Sequence, residues 1–169
     1  TITETGGQLV INFQPNSAFY AGYSSAYMYD FHDGSFDVAV AEVGAVNTVL
    51  EVRNHLGNSA QLVHDSGDVY AGIFNVSGEG TLAQRTWNPA ERFWRIREDG
   101  GDMVWELSTD RQTWNELHRR TLPFPVDFVR GLVSGDGGVA TTSRIRFDDV
   151  NMAAPNTGYC PIDALRDDF

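Results

Sequence analysis

The stretch Phe93-Trp94-Arg95-Ile96-Arg97-Glu98-Asp99-Gly100-Gly101-Asp102-Met103-Val104-Trp105-Glu106-Leu107-Ser108 decides the fold. Two adjacent glycines sit where a two-residue hairpin loop of type I′ or II′ needs positive φ. With Gly100-Gly101 as that loop, Ile96 falls opposite Trp105, Trp94 opposite Leu107, and Arg95 opposite Glu106. Side chains alternate across a strand, so Trp94, Ile96, Trp105 and Leu107 share one face, which belongs in a core. Arg95, Arg97, Val104 and Glu106 share the other, which faces outward. Apolar pairing and charge pairing agree in one register, and both kinds of cross-strand pair stabilise a sheet.

The same period-two pattern recurs on either side of this hairpin. Before it run Gln8–Phe13, Tyr20–Tyr29, Phe36–Val43, Thr48–Asn54, Ala60–Val63, Val69–Val76 and Thr81–Trp87. The hairpin contributes Arg92–Glu98 and Met103–Ser108, and Thr113–His118, Phe128–Ser134 and Thr142–Met152 follow. Gly, Asp and Asn clusters separate them, and Asp110 marks a second turn leading to Trp114. Pro123 and Pro125 break the chain before the last two segments. No segment holds a helical period over a helix's length. Many short strands at close spacing predict an all-β, two-sheet antiparallel sandwich.

A chain of 169 residues fits one domain. At this size roughly 70% of the unfolded chain's surface is buried on folding, enough for a core without metals or disulfides. No apolar run approaches the ~18 residues that would span a bilayer. The net charge of −11 disfavours non-specific binding to nucleic acid or anionic membranes. All twelve basic residues are arginine, which reads first as a coding bias and second as salt adaptation. The single cysteine, Cys160, can form no internal bridge, and no neighbouring His activates it. It is expected to be inert or to pair with a cysteine of a neighbouring module.

The run Phe93 to Glu98, Gly100-Gly101, Trp105-Glu106, Ser108-Thr109-Asp110 and Trp114 resembles a bacterial pattern found in concanavalin A-like (laminin G-like) jelly-roll domains. In that pattern a proline-rich turn and a closing Phe-Asp-Asn-Val strand follow; here the strand reads Phe147-Asp148-Asp149-Val150-Asn151. The resemblance covers residues 87–152, and residues 7–75 match as strand pattern only. It implies a jelly-roll sandwich over residues 1–153 with a tail or linker over 154–169. It also implies a bacterial extracellular or cell-surface protein with no fixed catalytic residues. Two departures stand out. Arg111 replaces the glycine usual after the turn aspartate, and the acidic-acidic-Phe run that tends to open such domains stands at the far end, as Asp167-Asp168-Phe169. The favoured reading is one repeat of a tandem array that keeps the next repeat's first strand. A permuted strand order and strand donation to a neighbouring copy are the others.

Glycoside hydrolysis, known on related jelly rolls, needs carboxylates that straddle the scissile bond from one strand face, spaced Glu-x-Asp-x-x-Glu or Glu-x-Asp-x-Glu. Asp37 and Glu42 are five residues apart, which puts them on opposite faces of a regular strand, and Glu106 has no acidic partner two residues away. Asp30-Phe31-His32-Asp33 and Asp65-Ser66-Gly67-Asp68 are acidic loops of a type calcium uses, but both lack EF-hand spacing and read as turns. No metal and no cofactor is expected, calcium being the one ion these loops could take. His32, His55, His64 and His118 have no zinc-ligand spacing, and there is no nucleophile elbow or phosphate-binding glycine loop. Gly135-Asp136-Gly137-Gly138 is expected to be a turn, and the sequon Asn75-Val76-Ser77 carries no consequence in a bacterial chain.

What remains is a binding face. Tyr23, Tyr27 and Tyr29 alternate in sequence and would share one side of a strand, where aromatic rings stack on sugars. Arg95, Arg97 and Glu106 would supply hydrogen bonds if their sheet is the concave one. The bland reading makes the tyrosines core and the charges a solvated cross-strand ladder. The expectation is a non-catalytic extracellular binding or adhesion module for polysaccharide or glycoprotein. A structural repeat that assembles with its neighbours or with copies of the same chain is the alternative, and a divergent glycosidase comes third.

Overall fold

The computed structural model describes residues 1–16, 18–74, 80–138, 142–153 and 166–167. Within them every regular element is a strand. In chain order these are β1 (Ile2–Thr5), β2 (Gln8–Phe13), β3 (Ala18–Ser24), β4 (Ser35–Glu42), β5 (Asn47–Asn54), β6 (Ser59–Asp65) and β7 (Asp68–Phe74). Then come β8 (Thr81–Thr86), β9 (Phe93–Asp99), β10 (Asp102–Ser108), β11 (Asn115–Thr121), β12 (Val129–Gly138), β13 (Ser143–Ala153) and β14 (Arg166–Asp167). They form two antiparallel sheets. An eight-stranded sheet runs β1-β2-β13-β4-β9-β10-β11, with β14 also paired to β13, and a six-stranded sheet runs β3-β12-β5-β6-β7-β8.

The β9–β10 hairpin has the register its sequence predicts: Ile96 opposite Trp105, Trp94 opposite Leu107, and Arg95 opposite Glu106. Gly100 and Gly101 take φ of 60° and 95°, the double positive φ of a type I′ turn. Trp94, Ile96, Trp105 and Leu107 are fully buried. They meet Leu50, Val52, Leu62, Val69, Ala71, Ile73 and Val133 of the six-stranded sheet in one continuous core. On β12, Gly135 has to be glycine for space, since a Cβ there would stand 2.6 Å from the Phe13 ring.

Several boundaries differ from the sequence reading, each for a local reason. β1 carries no apolar alternation because all four of its residues are exposed at a sheet edge. The segment Tyr20–Tyr29 is not one strand: β3 stops at Ser24, and Tyr29 returns only as an isolated bridge to Val129. Trp114 lies in the turn, not in a strand, because β11 starts at Asn115. Its ring packs instead against the Arg95 guanidinium, 3.9 Å away. All of Gly135–Gly138 belongs to the ten-residue strand β12 and is no separate turn. Finally, Asp37 and Glu42 share a face. The register slips beside β13, where Phe147 pairs with Val40 and Arg146 with Glu42, so Ala41 bulges and Glu42 swings outward. Cys160, Asp168, Phe169 and the Asn75-Val76-Ser77 sequon lie outside the described residues. Arg166 and Asp167 pair with Asn151 and Val150 of the same chain.

His64 faces the sandwich interior at 6% exposure, edge-on to Trp87, with Nδ1 lacking a hydrogen-bond partner. Burial holds its pKa below the ordinary 6.5, with Asp65 and Asp68 pulling the other way. The unfolded chain therefore takes this proton more readily than the folded one. His64 contributes stability that is full above pH 6.5 and is lost as pH falls through the lower folded value. Thermal melts at pH 7.5 and pH 5.5 should show a drop that His64→Leu reduces; an equal drop in both proteins would remove His64 as its source.

Candidate functional site

Two broad faces point away from the core. The outer face of the eight-stranded sheet carries Arg95, Arg97 and Glu106. Its central row runs Asn151, Asp37, Arg95, Glu106 and Glu116 across β13, β4, β9, β10 and β11. These groups are spent on one another. Arg95 Nε and Arg97 Nε both donate to Glu106 Oε2, at 2.7 and 3.1 Å. Arg97 also pairs with Asp99, and Arg119 binds Asp99 and Glu116. Arg111 Nε donates to Asp37 Oδ1 at 2.7 Å while Asn151 Nδ2 donates to Oδ2 at 3.1 Å. Burial lifts the Asp37 pKa above its ordinary value, with Arg111 opposing. This is a cross-strand ladder in which Asp37, Asp99, Glu106 and Glu116 are each paired, while Arg95 is bound through Nε alone and lays its guanidinium over the Trp114 ring.

The aromatic candidates are dispersed. Tyr29 is a core residue at 4% exposure. Tyr23 pairs with Val133 on β12, so it sits at the sheet margin on the core side, partly exposed. Tyr27 stands exposed in the β3–β4 connection. Once the chain leaves β3 at Ser24, the period-two relation among the three is lost.

The outer face of the six-stranded sheet presents a different chemistry. Its rows are fixed by register. One runs Gly22, Ser134, Val49, Val63, Tyr70 and Gln84, and the next runs Ser24, Leu132, Glu51, Gln61 and Gly72. Val49, Val63 and Leu132 are buried despite pointing outward, and form an apolar floor. Glu51 lies in that floor at 1% exposure and is held by Arg53, whose Nη2 donates to Oε2 at 3.0 Å. Tyr20, 53% exposed, stands on the same face opposite Asp136. Glu51 holds the Arg53 guanidinium pKa up, and the nearby Tyr20 adds to that in a smaller way. Tyr70 is half-buried, and burial together with Asp65 and Asp136 raises its phenol pKa. Ser134 Oγ is buried in the floor with no partner. Sequence patterning missed this set because no short motif marks it. The available signal was Glu51, Arg53, Gln61, Val63 and Tyr70 alternating on strands expected to pair.

The remaining sequence candidates resolve as turns. Asp30 Oδ1 accepts from the backbone N–H of His32, and Ser66 and Gly67 both take positive φ in the β6–β7 hairpin. Among the described residues no group of three or more His, Cys, Asp or Glu comes together to hold a metal. No helix is long and apolar enough to cross a membrane.

The chain matches no protein-family model and no curated protein sequence. Solved structures do match it. A legume lectin-like domain from Entamoeba histolytica superposes with a TM-score of 0.64 at 10% identity, covering 89% of this chain and 85% of the other. A prokaryotic β-1,3-1,4-glucanase (lichenase) from a mouse hindgut metagenome gives 0.63 at 10% identity, covering 86% and 79%. The exoplasmic/lumenal domain of VIP36 in its Ca2+/Man3GlcNAc-bound form gives 0.61 at 13% identity, covering 98% and 86%. Likeness at these identities is likeness of fold, and by its fold this chain is a two-sheet antiparallel jelly roll of the concanavalin A-like lectin and glucanase type.

Proposed function

We propose that the protein is a non-catalytic glycan-binding module, extracellular or cell-surface, whose ligand lies on the outer face of the six-stranded sheet. One observation carries this reading: an apolar floor of Val49, Val63 and Leu132 lies on the face that also bears the exposed Tyr20 ring, Tyr70, Arg53 and Gln61. Sugars present apolar C–H faces and a rim of hydroxyls, so a site for them combines rings with planar hydrogen-bonding groups. The lectin-like domains among the structural neighbours support the same ligand class.

A hydrolytic role has less support. No described strand carries the Glu-x-Asp-x-x-Glu or Glu-x-Asp-x-Glu set. The buried carboxylate on the proposed face, Glu51, is bound by Arg53, and Asp37 and Glu106 on the opposite sheet are each committed to arginines. The assembly reading keeps one supporting observation, the self-satisfied ladder on the eight-stranded sheet, which suits a wall between repeats better than a ligand site.

A glycan array at neutral pH, run with calcium and again with chelator, tests the proposal. Tyr20→Ala removes an exposed ring and should weaken any hit about tenfold, near 1.4 kcal/mol of stacking. Arg95→Ala/Glu106→Ala should leave the hits in place. Loss of binding in that double variant alone would return the site to the charged ladder. An array blank in both conditions would leave the assembly module as the better account.

A further inference from the structure

A second site of distinct chemistry lies on the other side of the sandwich, toward one edge of the eight-stranded sheet. There β1, β2 and β13 line an open groove of about 480 Å³ whose walls include Thr3, Thr5, Gln8, Asn12, Arg144 and Arg146. The register explains the convergence: Thr3 pairs with Val10 and Val10 with Arg146, while Asn12 pairs with Arg144, so these side chains share the outward face. Two guanidiniums line this groove and no carboxylate does, in a chain whose net charge is −11.

Their posture matters as much as their charge. Glu42 sits beside the groove, and its Oε2 accepts from Arg144 Nε at 3.0 Å and Arg146 Nε at 2.7 Å. Glu42 thus orients both cations, and a second carboxylate, Asp148, stands behind Gln8 and accepts from its Nε2 at 3.2 Å. Arg146 Nη1 also donates to Gln8 Oε1 at 3.1 Å. Among the described residues Arg144 spends only its Nε, so its Nη edge remains for a planar anion. A guanidinium edge matches a carboxylate in two parallel hydrogen bonds. Threonine hydroxyls and the Asn12 amide supply neutral partners for sugar hydroxyls.

We infer that this groove binds the carboxylate of a uronic acid, with Arg144 and Arg146 as the anion clamp and Thr3, Thr5 and Asn12 on the ring hydroxyls. The overall negative charge repels a long polyanion, so the ligand is an isolated uronate in an otherwise neutral chain. The inference does not depend on the six-stranded face, and the two can fail separately.

The test is a titration of the isotope-labelled whole chain followed by backbone and arginine side-chain NMR. Glucuronate, glucose and sodium sulfate are separate arms at fixed ionic strength. Glucuronate should give saturable shifts at Thr3, Thr5, Arg144 and Arg146, at least fivefold tighter than glucose. Arg144→Gln/Arg146→Gln should abolish them, and Thr3→Val, which leaves every ion pair intact, should weaken them. Tyr20→Ala should not move them. No saturation by glucuronate, or survival of the shifts in the double arginine variant, would overturn the assignment. Equal saturation by sulfate would reduce the groove to an indiscriminate anion patch and overturn the uronate reading as well.

Discussion

Trp94→Ala should cost about 4 kcal/mol of stability, within the range for truncating a fully buried tryptophan. In a chain this long that lowers the melting temperature by roughly 8–16 °C. Trp94 has no solvent exposure, and its Nε1 donates to the Glu91 carbonyl at 3.2 Å. The ring stands edge-on to Trp87 at 6.4 Å, and Trp87 in turn meets His64 at 4.8 Å, so truncation opens a cavity that strands of both sheets line. The rigid β backbone cannot collapse into such a void, and the cost therefore stays near the full transfer and cavity terms. Trp114→Ala is the control. That ring is half-buried outside the core and packs on Arg95, so its loss should cost no more than about 1 kcal/mol. Urea unfolding of both variants checks the contrast; comparable losses would mean that the β9 register does not place Trp94 at the centre of the core.

Arg111→Ala should cost about 3 kcal/mol at neutral pH, the low end for breaking a buried ion pair, because the guanidinium itself is 29% exposed. The carboxylate left behind, Asp37, is buried and would keep only the Asn151 hydrogen bond and the weaker attraction of Arg95. The pH dependence gives the mechanism away. Burial already holds the Asp37 pKa above 3.8 in the folded state, so its favourable contribution is present below 3.8 and is lost as pH rises through the folded value. Without Arg111 that folded value climbs further. The deficit of the variant is therefore largest at neutral pH and shrinks as pH falls, because a protonated Asp37 no longer needs the guanidinium. A deficit that stays constant as pH falls would place Arg111's contribution elsewhere. Arg111→Gly separates a second effect. Arg111 holds φ at 62°, where side chains cost about 1 kcal/mol and glycine costs little. The glycine variant should accordingly be about 1 kcal/mol more stable than the alanine one.

That arginine shows how far the sequence could be read. Its departure from the glycine of the resembling pattern signalled an altered turn. The turn itself is built locally: Asp110 Oδ1 accepts the backbone N–H groups of Gln112 and Thr113, and Ser108 Oγ accepts that of Arg111. What the sequence did not disclose is the partner, Asp37, 74 positions away. A left-handed residue in a tight turn aims its side chain back over the sheet, and only the assembled sheet brings β4 beneath it.

The same division runs through the whole molecule. The sequence by itself determined most of the strands and the β9–β10 register, because alternation and turn glycines act between residues a few positions apart, but not the exposed edge strand β1 or the outward turn of Glu42. It also determined that the chain would close into two sheets, since so many half-buried strands have no helix to cover them. Tertiary structure alone decided which strands not joined by a tight turn are neighbours, as when β12 inserts between β3 and β5. It decided that the bulge at Ala41 turns Glu42 toward Arg144 and Arg146. It also decided that Tyr20, Arg53 and Tyr70 share a face while Tyr29 goes to the core. Alternation says that a strand has two sides. It cannot say which strand lies alongside, because that choice is set by packing between residues far apart in sequence, and binding faces are made of such pairings.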